Sequence, residues 1–144
     1  MPAEPIAAAE QATTDTAAGQ SDDNQSKENF EMKLLINDVE IPVLWENCTA
    51  VEELKAEVSN GSITVNMSMY GGWEQVGSLG RSYTRTDHQM TAVNGDIVLY
   101  SGNQIVVFYG SNSWSYTKLG KMDLSSDEVT KLLSSEDIIL TITK

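Results

Sequence analysis

The sequence predicts a mainly β domain: a closed antiparallel β-barrel with two short helices capping its open ends, preceded by a disordered tail. Three observations support this fold class. Residues 62–70 alternate strictly between apolar and polar side chains, as a half-buried strand does. Residues 95–122 read as two apolar strands, a tight turn and a third strand without interruption. Only two segments combine helical periodicity with helix start signals.

The folded part opens with two short apolar runs, Met32–Ile36 and Val39–Trp45. They are separated by Asn37-Asp38, a pair that tolerates positive φ and therefore favours a two-residue hairpin turn. Pro42 cannot donate to a ladder of hydrogen bonds, so we expect it at a sheet edge or a bulge.

Each helix is predicted from a capping box. Thr49–Glu52 starts the first helix, which runs to about Ser59 and is stopped by Asn60-Gly61. Ser125–Glu128 starts the second, whose core-facing residues are Val129, Leu132 and Leu133.

Further strands follow each helix. In the alternating strand 62–70, the residues expected to face the core include Met67 and Met69, and Trp73–Val76 extends the strand beyond a break at Gly71-Gly72. Residues 77–94 are predicted to be a long irregular loop, a place where a ligand surface often lies. The remaining strands are Asp96–Tyr100, Gln104–Tyr109 and Ile138–Thr143, and Trp114–Leu119 is a further strand or a loop leading into one. This order favours a barrel, with an open α+β sandwich as the alternative.

Composition divides the chain of 144 residues into a linker and one domain. Residues 1–30 carry a net charge of −5 out of −12 and few large apolar side chains, so we predict an acidic disordered segment there. Residues 31–144 are then the folded domain, also acidic, for which we expect a monomer.

Several classes of function are excluded by charge and composition. An acidic surface with scattered basic residues repels phosphate, so we expect no nucleic acid partner. No apolar run approaches the roughly 18 residues of a membrane span. Cys48 is the only cysteine and His88 the only histidine, which gives no disulfide and no metal site, and no cofactor is predicted.

The order of elements resembles the cyclophilin barrel. Residues 67–122 resemble more specifically small bacterial cyclophilin-like proteins of unknown function, through the motifs Met69–Glu74, Gly95–Tyr100, Gly102–Gln104, Asn112–Trp114 and Leu119–Lys121. The resemblance covers residues 31–144 and implies a cyclophilin-like β-barrel.

The resemblance also implies that catalytic residues of cyclophilins are missing from this sequence. Cyclophilins isomerise prolyl bonds with an arginine on the strand after the first helix and a histidine on a loop that a tryptophan leads. Here strand 63–69 has no arginine, and no histidine follows Trp114. Gln104 is kept, but the pocket phenylalanine is replaced by Val106 unless the register shifts to Phe108. We therefore predict no catalytic residues and no efficient prolyl isomerase activity.

The function predicted is a binding module for a peptide or small molecule at the barrel mouth. The candidate ligand-binding residues are aromatic, polar or basic side chains at strand ends and loops: Tyr70, Trp73, Arg81, Arg85, Gln104, Trp114 and Tyr116. One alternative is a weak prolyl isomerase or another enzyme that uses Arg81 or Arg85. A second is a structural accessory domain, in which Trp114 and Tyr116 only cover the barrel end.

The acidic segment rich in Ala, Ser and Thr is similar to the spacer of a bacterial lipoprotein. This similarity predicts an extracytoplasmic, membrane-anchored domain with a lipid anchor in the native precursor. A cytoplasmic protein is the alternative.

Overall fold

A computed structural model describes residues 32–144 as eleven strands and two helices. The predicted disordered segment 1–30 and its interpretation as a lipoprotein spacer lie outside the described residues. No helix within residues 32–144 has the length and apolar character needed to cross a membrane. The elements are β1 Lys33–Ile36, β2 Val39–Ile41, β3 Val43–Trp45, α1 Thr49–Val58, β4 Ile63–Asn66, β5 Ser68–Tyr70, β6 Glu74–Ser78, β7 His88–Ala92, β8 Asp96–Tyr100, β9 Gln104–Phe108, β10 Asn112–Met122, α2 Ser126–Leu133 and β11 Ile139–Thr143.

The strands form two antiparallel sheets. The smaller sheet has the order β2-β1-β11-β4. The larger sheet has seven strands, in the order β3-β10-β8-β9-β6-β5, with β7 paired to β10. The prediction of a mainly β domain with two helices is therefore confirmed.

The predicted closure into one barrel is wrong, because no ladder joins the two sheets within residues 32–144. The chain instead passes between the sheets four times, through each of the two helices and at two corners. At Pro42 the predicted strand 39–45 divides into β2 and β3, and the Pro42 carbonyl accepts a hydrogen bond from Asp123 N at 2.8 Å. At Met67 the predicted strand 62–70 divides into β4 and β5.

One apolar core fills the space between the sheets. Its fully buried members include Leu34 and Leu140 of the smaller sheet and Leu99 and Ile105 of the larger sheet. Both helices add to this core, through Val51, Leu54, Val129 and Leu133. Both helices therefore pack against the same core as the two sheets.

The two helix starts differ from each other. Ser125 and Glu128 form the predicted capping box at α2, and these hydrogen bonds lower the pKa of the Glu128 carboxyl. At α1 the predicted capping box at Thr49 is wrong, because the N-cap is Cys48 and Thr49 is already helical. Cys48 makes no capping hydrogen bond, and burial raises the pKa of its thiol.

The turns and loop boundaries agree in part with those predicted from the sequence. Asn37 and Asp38 have φ of 50° and 71°, as the hairpin requires. Gly71-Gly72 is a turn between the antiparallel strands β5 and β6, so Trp73–Val76 does not extend the preceding strand. The predicted irregular loop 77–94 contains the end of β6 and all of β7. Met69, expected in the core, is 37% exposed.

Candidate functional site: an aromatic cleft

The larger sheet buries side chains on both of its faces. Along β9, Ile105 and Val107 face the core between the sheets, whereas Val106 and Phe108 belong to a separate apolar cluster on the other face. The buried members of this second cluster are Ala92, Val98, Val106, Phe108 and Tyr116. The alternation of a strand explains why β9 carries apolar side chains on both faces.

A cleft of about 240 Å³ lies on the same face as the second cluster. It is formed by strands β5, β6, β8, β9 and β10 and the turn before β6. The lining residues are mostly aromatic and polar: Tyr70, Trp73, Glu74, Val76, Tyr100, Gln104, Val106, Asn112, Trp114 and Tyr116.

The aromatic rings meet at steep angles. Tyr70 and Trp73 have ring centroids 6.5 Å apart and planes at 83°, and Tyr100 and Tyr116 have centroids 6.1 Å apart and planes at 64°. Phe108 supports Tyr116 from the buried cluster, with centroids 5.7 Å apart. Trp114 is 55% exposed and so offers much of its indole to a ligand. Edge-to-face packing fixes the rings while leaving faces free for contact.

Two glycines make room for Trp73. The Trp73 carbonyl accepts hydrogen bonds from Tyr109 N and Gly110 N, both at 2.9 Å. A Cβ atom at Gly110 would lie 2.6 Å from the Trp73 Cβ, and a Cβ atom at Gly71 would lie 2.5 Å from its indole ring. Gly71 also has φ of 67°, which L side chains rarely adopt.

We expect Gly110→Ala to displace Trp73 and to destabilise the domain by about 1–3 kcal/mol, the usual cost of overpacking. Chemical denaturation measures the loss, and the tryptophan emission spectrum reports the displacement. Ser111→Ala is the control, because Ser111 is the exposed neighbour of Gly110. Equal stability of the two variants would contradict this account of Trp73.

Glu74 is the charged residue of the cleft. It is 8% exposed, and its Oε1 accepts a hydrogen bond from Trp73 Nε1 at 3.1 Å. Burial raises the pKa of the Glu74 carboxyl, and the indole hydrogen bond opposes this shift. Among residues 32–144 no lysine, arginine or histidine forms an ion pair with Glu74.

The other polar groups of the cleft are neutral. Asn112 Nδ2 donates to the Tyr116 hydroxyl oxygen at 2.9 Å. Burial raises the pKa of Tyr116, so its hydroxyl keeps a proton to donate. Gln104 adds a second amide. The cleft can thus accept and donate hydrogen bonds around an apolar floor.

Five of the seven candidate residues meet in this cleft: Tyr70, Trp73, Gln104, Trp114 and Tyr116. Whether they bind a ligand stays a prediction. The two arginines lie elsewhere. Arg81 pairs with Glu57 of α1 and stacks 5.6 Å from the Tyr83 ring centroid, and Arg85 pairs with Asp87 at 2.6 Å.

Val106 and Phe108 are the two residues that could correspond to the pocket phenylalanine of cyclophilins, and they differ in whether they line the cleft. Gln104 and Val106 both line the cleft. Phe108 lies on the same face but is completely buried beneath Tyr116.

Within the described residues, no group of three or more His, Cys, Asp or Glu side chains is close enough to hold a metal ion.

The fold and the site define a class: a β-rich domain of two packed antiparallel sheets with an aromatic cleft on the outer face of the larger sheet. A model of the Cyclophilin-like family matches residues 34–143, so the chain belongs to this family. No curated protein and no solved structure matches the chain significantly.

Proposed function

We propose that this domain is a binding module whose aromatic cleft takes a small molecule or one side chain of a peptide, and that it is not an efficient prolyl isomerase. The observation that carries the proposal is the cleft itself, in which five aromatic side chains surround an apolar floor. Concave sites of this composition are the usual places for ligands.

The size of the cleft limits its ligand. Pockets for drug-sized molecules usually have about 300–1,000 Å³. The 240 Å³ found here suits a compact group rather than a long peptide segment. Much of the binding energy would come from contact with Trp114 and Trp73, because aromatic side chains contribute large contact areas.

The charge of the cleft argues against isomerase catalysis. None of the described residues that line it is arginine, lysine or histidine. Catalysis by charge stabilisation needs donors aimed at the reacting group, and a guanidinium is a stronger donor than the amides of Gln104 and Asn112. The arginines that could replace the missing one are engaged with Glu57 and Asp87.

Trp114→Ala tests the binding proposal. We expect ligands that bind the native domain to bind this variant about tenfold more weakly, as at an aromatic hot spot. The melting temperature should change by no more than about 2 °C, because Trp114 is more than half exposed. Ligands are found by saturation-transfer NMR with a mixture of small aromatic, aliphatic and charged compounds and short Xaa-Pro peptides, and affinities are then measured by calorimetry.

The matched control is Leu44→Ala, since Leu44 is 61% exposed but lies on β3, outside the cleft. Its affinities should equal those of the native domain. Equal losses in the two variants, or no ligand at all, would contradict the proposal and favour an accessory domain. Rapid turnover in a protease-coupled isomerisation assay, abolished by Arg81→Ala or Arg85→Ala, would favour the enzyme instead.

A further inference from the structure

Among the described residues, Glu74 is a buried carboxylate without a cationic partner. The ladder places it opposite Tyr70 of β5 and Phe108 of β9, so its surroundings are aromatic. Its Oε1 atom accepts one hydrogen bond, from the Trp73 indole. Its Oε2 atom has no partner among the described residues and is not sealed from solvent, so it opens to the cleft.

This arrangement is unfavourable in the empty domain. A carboxylate removed from water is normally paired with a cation or held by several donors. Glu74 has one neutral donor, and burial accordingly raises the pKa of its carboxyl. A cation that enters the cleft would supply the missing partner.

The aromatic rings favour the same kind of ligand. The faces of tryptophan and tyrosine attract cations through the ring quadrupole, most strongly where water is excluded. The rings of Trp73, Trp114, Tyr100 and Tyr116 surround the space in front of Glu74. The net charge of −12 also concentrates cations near the protein and repels anions.

We infer that the cleft binds an alkylammonium cation, either a free small molecule or the end of a peptide side chain, with Glu74 as the counter-ion and the aromatic rings as walls. This inference rests on the proposed function, which it narrows to one chemical class. A quaternary ammonium group suits the site, since it is compact. It has no N–H groups, so it needs a counter-charge but no hydrogen-bond acceptor.

The test compares two probes of nearly the same shape. Choline carries a trimethylammonium group, and 3,3-dimethylbutan-1-ol replaces that group with a neutral tert-butyl group. By calorimetry or NMR titration, we expect the native domain to bind choline at least about tenfold more tightly than the alcohol. A peptide containing trimethyllysine, paired with the same peptide containing leucine, distinguishes a side-chain ligand from a free one.

Glu74→Gln tests the counter-ion. The glutamine can still accept the hydrogen bond of the Trp73 indole, so the cleft should keep its shape while losing its charge. We expect affinity for the cation to fall about tenfold or more and affinity for the neutral alcohol to stay the same. Glu40→Gln is the control, because Glu40 is exposed on β2 and its replacement changes the net charge equally.

Thermal unfolding provides an independent readout. A carboxyl whose pKa is raised by folding costs stability once it is ionised, so that cost appears as the pH rises through the folded-state pKa. We therefore expect Glu74→Gln to raise the melting temperature at pH 7, with the gain disappearing at acidic pH. The variant should fold, so a loss of cation affinity reflects the missing charge.

The outcomes separate this inference from the proposed function. Equal affinity for both probes, or unchanged cation affinity in Glu74→Gln, would overturn the inference while leaving the cleft as a binding site. Failure of every cation to bind would also overturn it, even where the compound mixture yields a neutral ligand that needs Trp114. Cation binding that weakens equally in Glu40→Gln would indicate attraction by net charge alone and would overturn it as well.

Discussion

Gln75→Glu is expected to destabilise the domain by about 3–5 kcal/mol, the usual cost of breaking a buried polar network. Gln75 is completely buried on the core face of β6. Its Nε2 donates to Leu133 O at 2.8 Å and Glu136 O at 2.7 Å, while its Oε1 accepts from Ile138 N at 3.3 Å. A carboxylate has no proton for the two carbonyl oxygens and would place a negative charge beside them.

Urea denaturation at neutral pH measures this loss. Gln75→Met is the control, because it keeps the volume and removes only the hydrogen bonds, for which we expect about 1–3 kcal/mol. Protonation would return one donor to the glutamate variant, so its deficit should narrow as the pH falls towards the ordinary carboxyl range near about 4. If both variants were as stable as the native domain, Gln75 would not act as the donor that joins β6 to Leu133 of α2 and to Glu136.

Phe108→Ala is expected to destabilise the domain by about 3–5 kcal/mol, as for other buried aromatic side chains. Phe108 is completely buried in the second cluster, and its ring packs edge-to-face against Tyr116. Its removal leaves a cavity under the cleft and takes away the support of one wall. Ligand affinity should therefore fall together with stability.

The matched change is Phe108→Leu, for which we expect a loss of about 1–2 kcal/mol because most of the volume remains. Equilibrium denaturation gives both values, provided that the slope with denaturant stays constant. A loss below about 1 kcal/mol in Phe108→Ala would show that the second cluster is not tightly packed and does not hold the cleft in shape.

Local signals in the sequence predict the elements well where the backbone itself decides the structure. Asn37-Asp38 and the Ser125–Glu128 capping box are confirmed, because positive φ and capping are properties of a few adjacent residues. The first helix begins one residue earlier than Thr49 indicates, since Cys48 takes the N-cap and its thiol donates to Lys118 O at 3.8 Å instead of capping the helix. Tertiary contacts then set the boundary.

The sheet arrangement depends on contacts that no local pattern encodes. Pro42 indicates an interruption but not that the chain passes to the other sheet there. Met67 carries no breaking signal, yet β4 and β5 belong to different sheets. Strand β7 is mostly exposed and polar, so its alternation is too weak to predict from sequence.

The candidate site, too, can be predicted from the sequence only in part. Aromatic residues near strand ends are good predictors of a surface, and five candidates meet in one cleft. Glu74 is not predicted from the sequence, because a single glutamate usually indicates a solvated position. The signal that could have found it is its place beside Trp73, at the start of a strand. Arg81 pairs with Glu57, which only folding brings near, whereas Arg85 pairs with Asp87 two residues along the chain.

The central claim is that the aromatic cleft is the ligand-binding surface, and the three tryptophans of the chain provide its most direct test. In a ¹H–¹⁵N NMR titration, the indole signals of Trp73 and Trp114 report on the cleft. Trp45 is an internal control, since its Nε1 donates to Met32 O at 2.9 Å and its ring packs against the core between the sheets. We predict that ligand shifts the signals of Trp73 and Trp114 with one saturating curve and leaves Trp45 in place. A ligand that binds while shifting only Trp45, or all three signals equally, would contradict the claim.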